Sequence, residues 1–193
     1  MQRPQVAVPN PHRMAQHWLG WALSDWGGRR VLGHDGDTIG QSAFLRVVPD
    51  AGVAVVLLTN SDQTRAFSQE VFTELLGELC DLAVPAPLEP PADPPQVDLR
   101  RHVGVYERVG MSMEARLRDG RLVLQVIPTG AMAGLQPAFD MELVPLTDTL
   151  LVGRPAIVTR WIPVVFYTLL DGSPYLHDGF RAIPKVTECR PPR

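Results

Sequence analysis

Cysteine is scarce in this chain of 193 residues, which contains only Cys80 and Cys189. Two cysteines form neither a disulfide framework nor a metal knuckle, so a reduced, cytoplasmic setting is the expectation. His12 and His17 lie close together in the sequence, but no cysteine or carboxylate cluster accompanies them. We therefore expect no metal and no cofactor.

Long apolar runs and basic clusters are also lacking. The apolar run at residues 53–58 is far too short to span a bilayer, and residues 1–5 lack the apolar core of an export signal. The 18 basic and 21 acidic residues give a net charge of −3, spread along the chain. These features exclude a nucleic-acid footprint and a membrane anchor, so neither partner is expected.

Proline, in contrast, is abundant, and it is unevenly distributed. Six of the 19 prolines fall between residues 84 and 95, where no helical or strand periodicity is present. Proline lacks a backbone N–H and favours extended geometry, so this segment is a poor candidate for a sheet. We predict a first domain at residues 1–83, a linker at residues 84–97 and a second domain at residues 98–193.

Alternating apolar residues and turn signals predict an antiparallel meander in the first domain. Strands are expected at residues 18–23 and 29–32, the second ending in the glycine-rich stretch 34–40. The runs at residues 42–48 and 52–59 form a hairpin, because Pro-Asp-Ala-Gly between them is a turn sequence.

The last strand of the meander is followed by a helix. Residues 53–58 are apolar on both faces, which predicts a central strand covered on each side. Apolar residues then recur three and four apart over residues 64–82, the pattern of an amphipathic helix. The first domain is therefore expected to be a sheet with one C-terminal helix.

The second domain alternates throughout and offers no long helical pattern. Asp-Gly pairs at residues 119–120 and 171–172 mark turns between short strands. Seven or eight such strands predict a small antiparallel barrel or sandwich, whose interior holds side chains. The fold class of the whole chain is thus mainly β, of the α+β kind.

Glycines at positions 33, 36 and 40 surround His34. The residues alone leave two interpretations open. His34 either caps a bulged strand end and bonds to its neighbours, or lines a site that a substrate approaches closely. In the second case, a strand edge bare of side chains can donate N–H groups to a developing oxyanion.

The order of motifs resembles a known family. Gly20 and Trp21, "GHDGDTIGQ", a hairpin ending in "PDAGVAVVLLTN" and an amphipathic helix are similar to the C-terminal stretch of serine β-lactamase-like hydrolases. This superfamily includes class C β-lactamases, penicillin-binding-protein-type esterases and D-amino-acid peptidases, which act through a serine ester. The resemblance covers residues 1–82.

The resemblance implies roles for three residues. His34 and Gly36 would belong to the His-x-Gly triplet on the strand that lines the cleft. The backbone N–H of Asp37, just beyond the triplet, would be one oxyanion donor in the complete enzyme. The candidate catalytic residues are therefore His34, Gly36 and Asp37.

The family's other motifs are not found. None of the six serines is followed by lysine at the third position, and Lys185 is the only lysine. No tyrosine begins a Tyr-x-Asn triplet. The chain therefore offers no nucleophile and no general base. We expect a truncated, C-terminal portion of such a hydrolase, inactive by itself, with small ester, amide or peptide substrates only in the complete enzyme.

Three stretches of the second domain, "HVGVYERV", "RDGRLVLQV" and "YLHDGFRA", are similar to the lipocalin-like barrel that follows many of these hydrolases. The order of hydrolase portion, proline-rich linker and barrel agrees with this resemblance. It implies a lipocalin-like barrel at residues 98–193.

A truncated first domain would expose one apolar face of residues 53–58, and an exposed patch of this kind implies a partner. We expect self-association, docking of the barrel on the sheet, or binding of a separate N-terminal portion. The alternative function is a non-catalytic binding or scaffold protein that uses the barrel and the exposed sheet.

Overall fold

The computed structural model describes residues 6–9, 16–17, 20–38, 40–61, 64–134, 136–156, 158, 160–179 and 181–186. It divides into two compact units, Met1–Ala86 and Pro87–Arg193. The prediction of a mainly β chain with one helix and an antiparallel barrel is confirmed. Within the described residues, no helix is long and apolar enough to cross a membrane.

The first unit is an antiparallel sheet in which strands follow one another in sequence order, with one helix. Tight turns permit this order, since each connection around β4 is two residues long. Gly28, in the turn before β4, has a φ of 85° and donates its N–H to the Asp25 carboxylate at 2.7 Å. The elements are β1 (Val6–Ala7), β2 (Gln16–His17), β3 (Ala22–Trp26), β4 (Arg29–Thr38), β5 (Gln41–Val48), β6 (Val53–Thr59) and α1 (Arg65–Cys80).

One face of the sheet packs on α1. Phe72 and Leu76 of the helix are buried against Val31, Phe44 and Val55 of the sheet. Two of these side chains lie four residues apart on α1, so they share the same face of the helix. Burial of this face holds α1 on the sheet and orients β4 and β5 beneath its first turn.

The prediction that residues 53–58 form a central, doubly covered strand is wrong. In the described part of the chain β6 pairs with β5 alone, and α1 covers only one of its faces. On the other face Val56 is 59% exposed and Leu58 is 74% exposed. An apolar pattern shows that a strand face favours burial, but it does not show which residues, if any, of this chain pack against that face.

Two other boundaries differ from expectation. β4 does not end at the glycine-rich stretch but runs on to Thr38, because Gly36 fits the extended conformation and the ladder with β5 continues through it. The strand expected at residues 18–23 is β3, which begins at Ala22 and ends at Trp26. Residues 18 and 19 lie outside the described residues.

The second unit is a closed barrel of eight antiparallel strands. Sequence neighbours pair with each other, and the last strand returns to the first, with Lys185 opposite Tyr106. Side chains such as Leu124, Leu151 and Leu176 fill the interior. The strands are β7 (Gly104–Arg108), β8 (Met111–Arg118), β9 (Arg121–Pro128), β10 (Phe139–Pro145), β11 (Leu150–Gly153), β12 (Ile162–Thr168), β13 (Pro174–His177) and β14 (Ala182–Val186).

A buried histidine lies next to the barrel core. His102 ends the 3-10 turn Leu99–His102 and stacks on Phe166, with ring centroids 4.2 Å apart. Its Nε2 is 2.9 Å from the carbonyl oxygen of Asp148, and its own carbonyl accepts the Tyr106 hydroxyl at 3.0 Å. Burial lowers the pKa of His102 and raises the pKa of Tyr106 to about 12.

The lowered pKa of His102 predicts acid sensitivity of the barrel. Below about pH 6.5 the unfolded chain binds a proton at His102 more readily than the folded chain does, so stability falls as the pH decreases. We expect His102→Gln, which has no titrating ring, to lose less stability between pH 7.5 and pH 5. Denaturant titrations followed by barrel amide resonances measure this. Equal losses in the two proteins would contradict the prediction.

Candidate active site

The triplet lies on the part of β4 that is paired on one side only. β4 pairs with β5 as far as Thr38, but its pairing with β3 stops at Gly33, opposite Ala22. In the described part of the chain, β3 therefore pairs with none of residues 34–38, and this side of the strand, which lacks ladder pairing, is called the free edge of β4 below. Such an edge presents backbone N–H and C=O groups to whatever approaches it.

The direction of these backbone groups follows from the turns at the two ends of β4. Each turn has two residues, and the pair that closes such a turn exchanges both of its hydrogen bonds. Counting from either end gives the same alternation. His34 and Gly36 direct their peptide groups to β5, whereas Asp35 and Asp37 direct theirs to the free edge. The Asp37 N–H is therefore not used by the ladder with β5.

The side chains alternate as well. His34 and Gly36 lie on the face opposite α1, and both are exposed. A Cβ added at Gly36 would meet no atom within 4 Å, so this stretch of the strand surface is open. The imidazole and the bare glycine thus lie on an exposed face of the same strand segment whose edge carries the Asp37 N–H.

A cluster of ion pairs lies on the α1 face of the same strand, and the sequence did not reveal it. Arg46 on β5 binds both oxygens of Asp35, at 2.6 and 3.3 Å. Arg65, the first residue of α1, binds Asp35 at 3.1 Å and also binds Asp37. The partners are 11, 28 and 30 residues apart, so no local pattern marks them.

Two buried serine hydroxyls of this unit bind main-chain carbonyl groups. Ser42 donates to the carbonyl of Ser61 at 2.9 Å, and Ser68 donates to the carbonyl of Arg65 at 2.8 Å. These two hydroxyls stabilise the β6–α1 connection and the first turn of the helix. Among the described residues no group of three potential metal ligands is found; His12 lies outside them.

Comparison with known proteins shows what the first unit is similar to. A family model for the β-lactamases matches residues 2–77, which contain the whole of β4, β5 and β6. The penicillin-binding protein 4 of Amycolatopsis lactamdurans is 47% identical over 98 residues, which are 50% of this chain and 26% of that protein. Residues 2–77 are therefore a β-lactamase-like portion of the chain.

Solved structures resemble the chain over more of its length. A crystal structure of SurE with D-Leu aligns with 94% of the chain at a TM-score of 0.64 and 23% identity, covering 42% of SurE. A second SurE structure aligns with 94% of the chain at a TM-score of 0.63 and 25% identity, covering 40% of SurE. The chain thus spans less than half of the SurE chains and about a quarter of the penicillin-binding protein.

The chain thus combines a β-lactamase-like portion at residues 2–77 with an antiparallel barrel in the second unit. His34, Gly36 and Asp37 all lie on the stretch of β4 that pairs with β5 but not with β3. Their catalytic roles remain predictions. The structure adds Asp35, Arg46 and Arg65 to the candidate site, because these residues form ion pairs next to the triplet only in the folded sheet.

Proposed function

We propose that this chain is the C-terminal part of a serine hydrolase that cleaves esters, β-lactams or small peptides through an acyl-serine intermediate. The observation that carries the proposal is the free edge of β4, a segment that carries both an exposed His34 and an Asp37 N–H that the ladder with β5 does not use. The β-lactamase-family match of residues 2–77 favours this function over a non-catalytic scaffold.

Each of the three predicted site residues has a physical role in this chemistry. The Asp37 N–H would donate to the oxyanion that forms when the substrate carbonyl is attacked. His34 would orient the substrate and help to move protons near the nucleophile. Gly36 presents no side chain, so a substrate can lie against the strand there.

The nucleophile and its base are proposed to come from polypeptide outside this chain. Removing both members of such a pair eliminates most of the acceleration that an acyl-transfer site provides. We also propose that this other polypeptide covers the face of β6 that carries Val56 and Leu58, since both side chains are largely exposed here. Burying each would contribute about 1.5–3 kcal/mol.

The chain alone is therefore expected to be inactive. It should hydrolyse neither nitrocefin nor p-nitrophenyl acetate, and a fluorescent penicillin should not label it. A fusion of the chain to the part of the Amycolatopsis penicillin-binding protein that precedes the aligned 98 residues should be labelled. That fusion is called the fused enzyme below. Turnover by the chain alone that His34→Ala abolishes would refute the proposed division of the site.

A further inference from the structure

We propose that Arg65 is a positioning residue for the cleft strand. It binds the carboxylates of Asp35 and Asp37, and this fixes the direction of the Asp37 N–H at the free edge of β4. The inference rests on the proposed function for the use of that N–H. The ion pairs themselves do not depend on it.

The free edge makes such a clamp necessary. A strand inside a sheet is held by hydrogen bonds on both sides, but residues 34–38 have the ladder with β5 on one side only. Within the described residues, this stretch is thus an edge strand on the ladder of β5 and β6, and an edge strand has fewer backbone hydrogen bonds to hold it than a central one. An oxyanion donor must be held in place before the reaction, because a donor that must reorient loses much of its effect.

Alternation along β4 connects the clamp to the N–H. Asp35 and Asp37 direct their peptide groups to the free edge, and their side chains lie on the α1 face. The residue that offers the N–H is therefore the residue whose carboxylate Arg65 binds. Turning the Asp37 peptide away from the edge would require its carboxylate to leave Arg65.

An arginine suits this position better than a lysine. Arg65 uses Nη1 for Asp35 and Nη2 for Asp37, so one planar guanidinium joins two carboxylates on the same strand. Its side chain is 17% exposed, and its guanidinium lies 5.3 Å from the centre of the Phe44 ring. A lysine offers a single charged nitrogen without this fixed geometry. The pair with Asp35, whose side chain is 14% exposed, is shielded from water and so stronger than an ordinary surface pair, whereas Asp37 is 43% exposed.

The clamp also connects the cleft strand to the helix. Arg65 begins α1, and the Ser68 hydroxyl binds its carbonyl at 2.8 Å, so the backbone of this turn is itself held. Arg46 binds Asp35 from β5 and lies 5.1 Å from the ring of Phe72 on α1. Both arginines thus connect residues 35–37 to the packed helix and limit their movement relative to it.

Amide hydrogen exchange in the full chain tests the clamp. Arg65→Gln should speed exchange of the His34, Gly36 and Thr38 amides, which bond to β5, by at least about tenfold, because the loss of even one of its two charge-assisted bonds has this effect. Exchange at Val55 in β6 should not change. Arg65→Lys should give an intermediate effect, because it can keep one of the two carboxylates.

The matched control is Asp50→Asn, which removes another Arg–Asp pair of this unit, Arg29 to Asp50 at 2.9 Å. It should leave exchange at residues 34–38 unchanged. Faster exchange throughout β5 and β6 in the Arg65 variants would show that Arg65 stabilises the whole sheet rather than residues 34–38, and this result would overturn the proposal. If Arg65→Gln does not fold, Asp37→Asn removes one bond of the clamp and is judged by the same local criterion.

Kinetics of the fused enzyme separate positioning from substrate binding. Arg65→Gln should lower kcat about tenfold and leave KM unchanged, because the N–H is needed mainly in the transition state. An unchanged kcat in an active fused enzyme would overturn the positioning role. A fused enzyme that is inactive with Arg65 intact would count against the proposed function, and the exchange result would still decide for or against the clamp.

Discussion

Replacing His34 by alanine should lower the rate at which the fused enzyme is acylated by about a hundredfold. A positioned group that orients a substrate and assists proton transfer contributes at least this much in comparable sites. His34 lies on the exposed face of β4 beside the open strand surface at Gly36, so its loss leaves the surrounding packing intact. The rate of labelling by a fluorescent penicillin measures the effect.

Two further variants make the His34 result specific. His34→Lys should retain more activity than His34→Ala, because a lysine can still donate hydrogen bonds to a substrate from this position. Glu74→Ala, an exposed position on α1, should label at the rate of the unchanged protein. A His34→Ala protein that labels as fast as the Glu74→Ala protein would contradict a role for the imidazole.

Replacing Phe166 by alanine should destabilise the barrel by about 3–5 kcal/mol, the usual cost of removing a buried aromatic ring. Phe166 is buried on β12, stacks on His102 and meets the Tyr106 ring edge-on at 5.6 Å. The variant therefore leaves a cavity and also removes two ring contacts. Denaturant titration followed by barrel amide resonances gives the free energy of unfolding.

Leu170→Ala is the matched control for this loss. Leu170 is fully exposed at the turn after β12, so its replacement should change stability by less than about 0.5 kcal/mol. The acid sensitivity of the barrel should also be smaller in Phe166→Ala, since the burial that lowers the pKa of His102 is partly lost. Similar losses in Phe166→Ala and Leu170→Ala would show that the barrel interior is not well packed.

Local patterns were sufficient to predict most elements of the fold. The Pro-Asp-Ala-Gly turn marked the hairpin of β5 and β6, and apolar spacing marked α1, because turns and amphipathic faces depend on residues close in sequence. The position of β6 at one side of the sheet could not be predicted in this way. Its apolar pattern is that of a central strand, and only the strand pairing of the residues that the structure describes shows otherwise.

The candidate site was predicted only in part, for a related reason. His34 and Gly36 stand out because glycine-flanked histidine is visible in the sequence and resembles a known triplet. The pairs of Asp35 with Arg46 and of Asp37 with Arg65 join residues that are distant along the chain. Such contacts arise from the sheet register and from the packing of α1, and neither can be predicted from the local sequence patterns around these residues.

The pairing of β14 with β7 has a consequence for how the second unit forms. Val186 lies opposite Val105, so the barrel closes only between its first and last strands. During translation, β7 can therefore pair with β14 only after nearly the entire second unit has left the ribosome. The sheet of the first unit, built from adjacent hairpins, can assemble while translation continues. The two halves of one polypeptide are thus expected to mature at different times.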